Sequence, residues 1–145
     1  MTMNESVALV TGGSRGICRA ICLELARQGA AVAVNYAGNE QAAQETVEAC
    51  RALGVQAEAF QADVSDPAAC ESLIAQVKER FGRLDVLVNN AGISLVKQLQ
   101  DVTAEEWDRL FAVNVRGAFL CAREAEGEVV SIVGPSGAGK TTLLQ

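Results

Sequence analysis

Two glycine-rich turns carry residues whose types and spacing could hold a phosphate group. The first is TGGSRGIC at residues 11–18, where glycines let an anion approach backbone N–H groups at the start of a helix. The second is GPSGAGKT at residues 134–141, which matches G-x-x-x-x-G-K-[ST]; in this pattern lysine adds positive charge and threonine binds Mg²⁺. The sequence therefore predicts two phosphate-binding loops in one small chain.

Each turn needs a strand before it and a helix after it, and the chain repeats that order along its length. Short apolar runs alternate with longer amphipathic segments, which is typical of a parallel sheet covered by helices on both faces. The predicted strands are residues 6–11, 31–35, 56–61, 84–90 and 128–133. Right-handed crossovers then predict an α/β fold with a doubly wound, Rossmann-like parallel sheet of five strands in the order 3-2-1-4-5.

Capping residues set the limits of the predicted helices. Asp66 before Pro67 is a typical N-cap, and TAEE at residues 103–106 is a capping box that starts the fourth helix. A glycine that tolerates the left-handed conformation directly follows each of the first two helices. The four helices are expected over residues 16–28, over residues 40–53, from Pro67 onward, and from Thr103 through Phe119 and Leu120.

Composition limits the classes of function. A chain of 145 residues with 50% hydrophobic residues and 2 prolines fits one compact domain. The net charge of -6 argues against broad nucleic-acid binding, and without a long apolar run we expect no membrane insertion and a cytoplasmic location. The 5 cysteines form no CxxC pair and there is no histidine, so we predict no metal site and interpret the cysteines as small buried hydrophobes.

The first turn and three later motifs together resemble the short-chain dehydrogenase/reductase family. Thr11, Gly12 and Gly16 match its TGxxxGxG turn, with Cys18 in place of the third glycine. The later motifs follow in the family's order: ADV at residues 62–64, NNAG at residues 89–92 and NVRG at residues 114–117. The resemblance covers about residues 5–124 and is greatest to the 3-oxoacyl-acyl-carrier-protein reductases. The alternative is that NNAG is only a turn and Asn114 only a polar helix residue.

The resemblance implies a set of site residues. Asp63 would hold the adenine of a dinucleotide, and Asn114 would kink the fourth helix and hold a water in the proton relay. The cofactor-binding candidates are Thr11, Gly12, Ser14, Arg15, Gly16, Ile17, Asn35, Asp63, Val64, Asn90, Ala91 and Gly92.

Cofactor choice follows from the end of the second strand. Sites that prefer NAD usually place an acid there, beside the ribose 2′-OH, and that acid would repel a 2′-phosphate. This strand ends in Asn35 and Tyr36, while Arg15 could donate charge-assisted hydrogen bonds to a 2′-phosphate. We therefore expect NADP rather than NAD; the alternative for Arg15 is a solvated surface charge.

The catalytic residues of the resembled family are mostly missing from these 145 residues. Its members use a Ser, a Tyr and a Lys four residues after the Tyr, whereas the only tyrosine here is Tyr36 and Gly134 falls at the Ser position. Asn114 alone remains as a catalytic remnant. Loss of a positioned acid removes a contribution of typically about 10²–10⁴-fold. We expect little or no turnover from a sequence that is truncated relative to this family.

The closing segment, residues 127–145, resembles the Walker A start of an ATP-binding-cassette ATPase. Its candidate phosphate-binding residues are Gly134, Ser136, Gly137, Ala138, Gly139, Lys140, Thr141 and Thr142. The resemblance implies ATP with magnesium; the alternative is a glycine-rich tail that binds nothing. We interpret the chain as a reductase fragment at residues 1–126 joined to a P-loop segment at residues 127–145 that completes or trails the same domain. The join is expected near Glu124 to Gly127.

Three classes of function stay open on the sequence. The first is an NADP-binding reductase fragment, the second an ATP- or GTP-binding module, and the third an inert chimera, ranked in that order. Strands one and five are separated only by strand four, so both loops open on the same sheet edge, and we predict that ATP with Mg²⁺, if it binds, competes with NADPH. The fourth helix is also a candidate surface for self-association.

Overall fold

The structure, a computed structural model, describes residues 3–12, 16–93, 97–125 and 129–132, the last of these by backbone only. Five strands form its centre: β1 (Val7–Val10), β2 (Ala31–Tyr36), β3 (Ala57–Gln61), β4 (Val86–Asn89) and β5 (Val129–Ile132). The helices between them are α1 (Gly16–Arg27), α2 (Glu40–Ala52), α3 (Pro67–Phe81), α4 (Ala104–Phe111) and α5 (Gly117–Glu124). A π-helical segment (Ala112–Arg116) joins α4 to α5, and a short 3₁₀ turn (Leu99–Asp101) precedes α4.

All neighbouring strands are parallel, and their order is β3-β2-β1-β4-β5. In register, Ala8 of β1 lies opposite Val32 of β2 and Val86 of β4, and Val86 lies opposite Val129 of β5. Since β1 is buried along its whole length, it needs apolar side chains on both faces. The predicted fold class and strand order are confirmed.

Helices cover the two faces of the sheet with separate hydrophobic clusters. On one face, Val10 and Val34 pack with α1 and α2. On the other, Leu9 and Leu87 pack with α3 and α5. Neighbouring β1 residues thus enter opposite clusters, as the period of a strand requires. All five cysteines are buried in these clusters, as predicted: Cys18, Cys22, Cys50, Cys70 and Cys121.

The predicted caps are present. The Asp66 carboxylate accepts a hydrogen bond from the Ala68 amide at 3.1 Å, with Pro67 at the first helical position. Thr103 and Glu106 form a reciprocal capping box, with both bonds at 3.1 Å. Both helices begin where these caps predict.

The fourth predicted helix is present through Leu120 as α4, the π segment and α5. The π segment interrupts it at the position of Asn114, where the resemblance implied a kink. A wide turn of this kind often marks a functional site in a helix. None of the helices in the described ranges combines the length and the apolar character needed to cross a bilayer.

Candidate functional site

A groove of about 620 Å³ runs along the carboxyl ends of the strands. In an open parallel sheet this edge, at the point where strand order reverses, is the usual place for a ligand. The volume falls within the roughly 300–1,000 Å³ that is typical of small-molecule sites. The residues along it come from the starts of α1 and α2, the ends of β2, β3 and β4, and α4 with the π segment: Gly12, Gly16, Ile17, Cys18, Asn35, Ala37, Gly38, Asn39, Ala62, Asp63, Val64, Asn90, Ala91, Gly92, Ile93, Arg109 and Val113.

Thr11 joins the first turn to the end of β4. Its hydroxyl oxygen accepts hydrogen bonds from the Asn90 and Ala91 amides, each at 3.1 Å. Thr11 is 1% exposed. The Asn90 amide also donates to the Val88 carbonyl at 3.1 Å, so the Thr11 hydroxyl matters most as the acceptor for the Ala91 amide. Thr11 therefore lies beneath the groove and fixes its floor.

Gly12 allows a close backbone approach in the groove. Its φ is +70°, and an added Cβ would lie 2.7 Å from the Ala91 Cα. A side chain would meet both a strained conformation and a steric clash with backbone that cannot move easily. The first turn packs so closely on the segment after β4 that this position requires glycine.

Asn35 supports the first turn from β2. Its amide oxygen accepts from Gly12 N at 3.2 Å, and its amide nitrogen donates to the carbonyls of Phe60 and Ala62 at 3.2 and 3.1 Å. The side chain is only 2% exposed. It thus connects the ends of β1, β2 and β3 and holds their spacing.

Cys18 completes the start of α1. The residue is fully buried, and its Sγ lies 4.0 Å from the carbonyl oxygen of Thr11. A thiol is small enough to let α1 pack against β1 at this point. Ile17, by contrast, is 62% exposed and borders the groove, so a large apolar side chain faces solvent beside the turn.

Asp63 is held by two partners at the end of β3. Its Oδ1 accepts from the Ser65 amide at 2.9 Å and from the Ser65 hydroxyl at 2.6 Å, and its Oδ2 accepts from Arg109 Nη1 at 3.1 Å. The Ser65 hydroxyl is the main reason that the pKa of Asp63 lies below its usual range. The Ser65 amide and Arg109 act in the same direction, while partial burial opposes them. The carboxylate is a fixed acceptor at this end of the groove.

Asn114 connects the π segment to the segment after β4. Its Oδ1 accepts from Ile93 N and its Nδ2 donates to Ile93 O, both at 2.8 Å. This paired contact leaves little rotational freedom to the side chain. Asn114 therefore holds the Asn90–Ile93 wall of the groove in place.

Most predicted cofactor-binding residues come together in this groove. Thr11 lies below it, and Gly12, Gly16, Ile17, Asn35, Asp63, Val64, Asn90, Ala91 and Gly92 border it. Ser14 and Arg15 lie outside the described residues, as does the whole predicted P-loop, Gly134, Ser136, Gly137, Ala138, Gly139, Lys140, Thr141 and Thr142.

Three of the residues that sequence reasoning missed hold the site in place through hydrogen bonds. Ser65 follows Asp63 by two residues, a spacing at which an aspartate often accepts from the backbone, so it could have been found. Ile93 contributes through its backbone, and Arg109 reaches Asp63 across 46 positions. Neither has a local sequence signal.

Comparison with known proteins identifies the family. The family model described as short chain dehydrogenase matches residues 6–138. This chain belongs to the short-chain dehydrogenase family. The match extends beyond residue 124, where the sequence resemblance was expected to end.

Named relatives of this short-chain dehydrogenase are reductases. Versicolorin reductase 1 of Aspergillus parasiticus is 50% identical over 123 residues, which cover 85% of this chain and 47% of the relative. A 3-oxoacyl-[acyl-carrier-protein] reductase of Staphylococcus aureus is 45% identical over 130 residues, which cover 90% of this chain and 52% of the relative. The chain spans about half the length of the curated relatives it matches.

One solved structure of the family is a complex with NADP. A short-chain dehydrogenase of Burkholderia cenocepacia in complex with NADP superimposes with a TM-score of 0.86 at 42% identity, over 92% of this chain and 56% of that one. A short-chain dehydrogenase/reductase of Serratia marcescens superimposes with a TM-score of 0.89 at 35% identity, over 99% and 60% of the respective chains.

Proposed function

We propose that this short-chain dehydrogenase binds NADP along the groove at the carboxyl edge of its sheet. The observation that carries the proposal is the pairing of a glycine turn at one end with a fixed carboxylate, Asp63, at the other. The complex of the Burkholderia relative with NADP supports it. The same region contains every described residue that the family resemblance assigned to the cofactor.

The chain's own residues fit a dinucleotide. Gly12 packs closely on Ala91 and carries no side chain at the edge of the groove. The start of α1, a helix of 12 residues, would present backbone N–H groups to a pyrophosphate. The side chain of Ile17 is exposed, and a ligand that fills the groove would remove part of its apolar surface from water. We assign Asp63 and Val64 to the adenine end, and Asn90, Ala91 and Gly92 to the wall beside the ribose and nicotinamide.

We propose NADP over NAD as the preferred form. The residues of the groove after β2, Ala37, Gly38 and Asn39, carry no charge that would repel a 2′-phosphate. Arg15 is our candidate donor to that phosphate, and Gly16 beside it borders the groove. The bidentate geometry of a guanidinium suits this group.

We propose that the 145-residue chain turns over little or no ketone substrate. When bound, NADPH supplies a hydride; a reductase also needs a positioned proton donor. Tyr36 is buried among the side chains of α1 and α2 and does not border the groove. Asn114 serves here as a positioning residue for the Asn90–Ile93 wall. Carbonyl reduction, as in the 3-oxoacyl-[acyl-carrier-protein] reductases, is our proposal for the whole protein.

The P-loop motif supports a second candidate function, ATP binding with Mg²⁺ through residues 134–142. The motif itself is the observation that favours it, together with a backbone strand, β5, that ends at Ile132 just before it. This proposal includes the division of the chain into a reductase fragment at residues 1–126 and a P-loop segment at residues 127–145. If neither NADPH nor ATP binds, the third class applies and the chain is an inert chimera.

We also propose self-association through one face of α4, the π segment and α5. Trp107, Phe111, Val115 and Phe119 recur every four residues along it, and each is between 37% and 54% exposed. The Trp107 and Phe111 rings lie 4.7 Å apart and form one apolar surface. Asp108 and Arg116 beside it have opposite charges, which suits pairing with a second copy.

Titration of the nicotinamide fluorescence tests the proposed function. We expect saturable binding of NADPH, weaker binding of NADH, and displacement of NADPH by ATP with Mg²⁺ only if the P-loop binds. Equal affinity for NADPH and NADH would overturn the choice of cofactor. Absence of binding to either would overturn the proposed function.

A further inference from the structure

The carboxylate of Asp63 is fixed by one local and one distant contact. The two Ser65 donors, on the amide and the hydroxyl, both bind Oδ1. Arg109, which lies in α4, binds the other oxygen, Oδ2, at 3.1 Å. Because the local turn holds only one oxygen, the orientation of the second depends on a helix from elsewhere in the chain.

Arg109 also contacts Ser65 itself. Its Nη1 donates to the Ser65 hydroxyl at 2.6 Å, and that hydroxyl donates onward to Asp63 at 2.6 Å. The three side chains thus form a closed ring of hydrogen bonds. Arg109 borders the groove, whereas Ser65 is not among the residues that line it.

Arg116 offers a natural comparison. It comes from the neighbouring π segment and donates through Nη2 to the Ser65 carbonyl at 2.7 Å. Like Arg109, it attaches the helix to the turn after β3, but it does not contact the carboxylate and does not border this groove. The two arginines share the anchoring role and differ in their contact with Asp63.

We propose that Arg109 is a positioning residue that sets the direction of the free acceptor site on Asp63 and thereby selects adenine over bases with a 6-oxo group. The inference rests on the proposed binding of NADP, with its adenine at Asp63. It assigns a role in base recognition to a residue that need not touch the base.

The chemistry of the carboxylate supports this role. An ionised carboxyl group only accepts hydrogen bonds and has about four lone-pair sites, of which three accept from Ser65 N, Ser65 Oγ and Arg109 Nη1. The remaining site on Oδ2 can accept from the 6-amino group of adenine. Hypoxanthine has a carbonyl oxygen at the position of this amino group. Because that oxygen and the Asp63 carboxylate are both hydrogen-bond acceptors, they would repel each other.

Half exposure limits the size of the effect. The side chains of Arg109 and Asp63 are 52% and 46% exposed, so solvent screens their attraction. Substitution of Arg109 should therefore leave the fold intact while Oδ2 loses its fixed direction. Base selectivity is the property expected to change.

The experiment compares two cofactors on four chains: wild type, Arg109→Met, Arg109→Lys and Arg116→Met. The cofactors are NADPH and its reduced hypoxanthine analogue, titrated by nicotinamide fluorescence. We expect wild type to prefer NADPH by about tenfold, the scale of a hydrogen bond to a charged group. Arg109→Met should reduce the preference by about threefold or more, the scale of a screened pair.

The other two variants separate positioning from anchoring. Arg109→Lys keeps the charge and should restore part of the preference, and Arg116→Met should keep the wild-type ratio of affinities. The inference is overturned, with the proposed function left standing, if Arg109→Met keeps the wild-type ratio of affinities for the two cofactors. The same holds if Arg116→Met loses as much base selectivity as Arg109→Met. A wild-type chain that binds the two cofactors equally would overturn the placement of adenine at Asp63 and this inference with it.

Discussion

At the glycine-turn end of the groove the contacts are buried and uncharged, whereas at the β3 end they are half exposed and charged. Thr11 and Asn35 are 1% and 2% exposed and bond to backbone groups. Asp63 and Arg109 are 46% and 52% exposed and bond to each other and to Ser65. One end of the groove thus belongs to the core, and the other to the surface.

This difference separates the contacts that stabilise the groove from the contacts that set its ligand preference. A buried polar group that loses its partner costs the full desolvation penalty, so loss of the Thr11 or Asn35 hydrogen bonds should lower stability. A half-exposed ion pair is screened and contributes little to stability. Substitutions that break the buried contacts at the first end should therefore lower stability, and those at the second should mainly change ligand preference.

Gly12→Val should have the largest effect. The new side chain would meet Ala91 at a φ of +70°, and these two penalties together should cost about 3 kcal/mol or more. Denaturant unfolding measures the loss. Gly16→Ala is the matched control because an added Cβ there meets nothing within 4 Å; equal stability losses in the two variants would contradict the account of the turn.

Thr11→Val should have the next largest effect. Valine keeps the shape of threonine but removes the hydroxyl that accepts from the Ala91 amide, while the Asn90 amide keeps the Val88 carbonyl as an acceptor. The loss should cost about 1–2 kcal/mol. The free energy of unfolding tests this. Thr11→Ser retains the hydroxyl and should recover most of the loss, so a serine variant as unstable as the valine variant would show that the methyl group matters instead.

Self-association tests a third region, the apolar face of α4 and α5. If this face pairs with a second copy, Phe119→Glu should weaken the dimer by about tenfold or more, since it places a charge where two apolar surfaces meet. Sedimentation velocity over a range of concentrations measures it. A wild-type chain that is monomeric throughout, or a variant with unchanged association, would rule out this face.

Acid titration should reveal a small effect at the charged end. The pKa of Asp63 is lowered in the fold, so its stabilising contribution is present above the unfolded value of about 3.9 and is lost as pH falls through the folded value. Asp63→Asn should remove that part of the acid sensitivity, amounting to less than about 1 kcal/mol. Asp108→Asn, on the same helix as Arg109, is the control. Identical acid profiles for wild type and Asp63→Asn would contradict the contribution.

Much of the fold could be predicted because its signals are local. The fully buried strands are continuous apolar runs, and the caps at Asp66 and Thr103 lie next to the helices they start. The π segment could not be derived from periodicity, because one extra residue in a turn leaves the apolar spacing nearly unchanged. Only the resemblance around Asn114 indicated an irregularity there.

The candidate site divides in the same way. Gly12 and Asp63 lie in short motifs that end predicted strands, so their approximate place was predictable from the sheet. The contacts of Asn35 with β3 and of Arg109 with Asp63 join residues that are 25 to 46 positions apart. Such pairs depend on how helices dock on the sheet, which no local pattern specifies.

Amide NMR during a titration with NADPH tests the central claim most directly, and a chain of 15.2 kDa is small enough for it. If one groove binds the cofactor from the glycine turn to the β3 end, the largest shift changes should fall on Gly12, Ile17, Val64 and Ala91. Gly54 and Gly82, which follow the ends of α2 and α3, should change little. Shift changes centred on those two glycines, or confined to one end of the groove, would contradict the account.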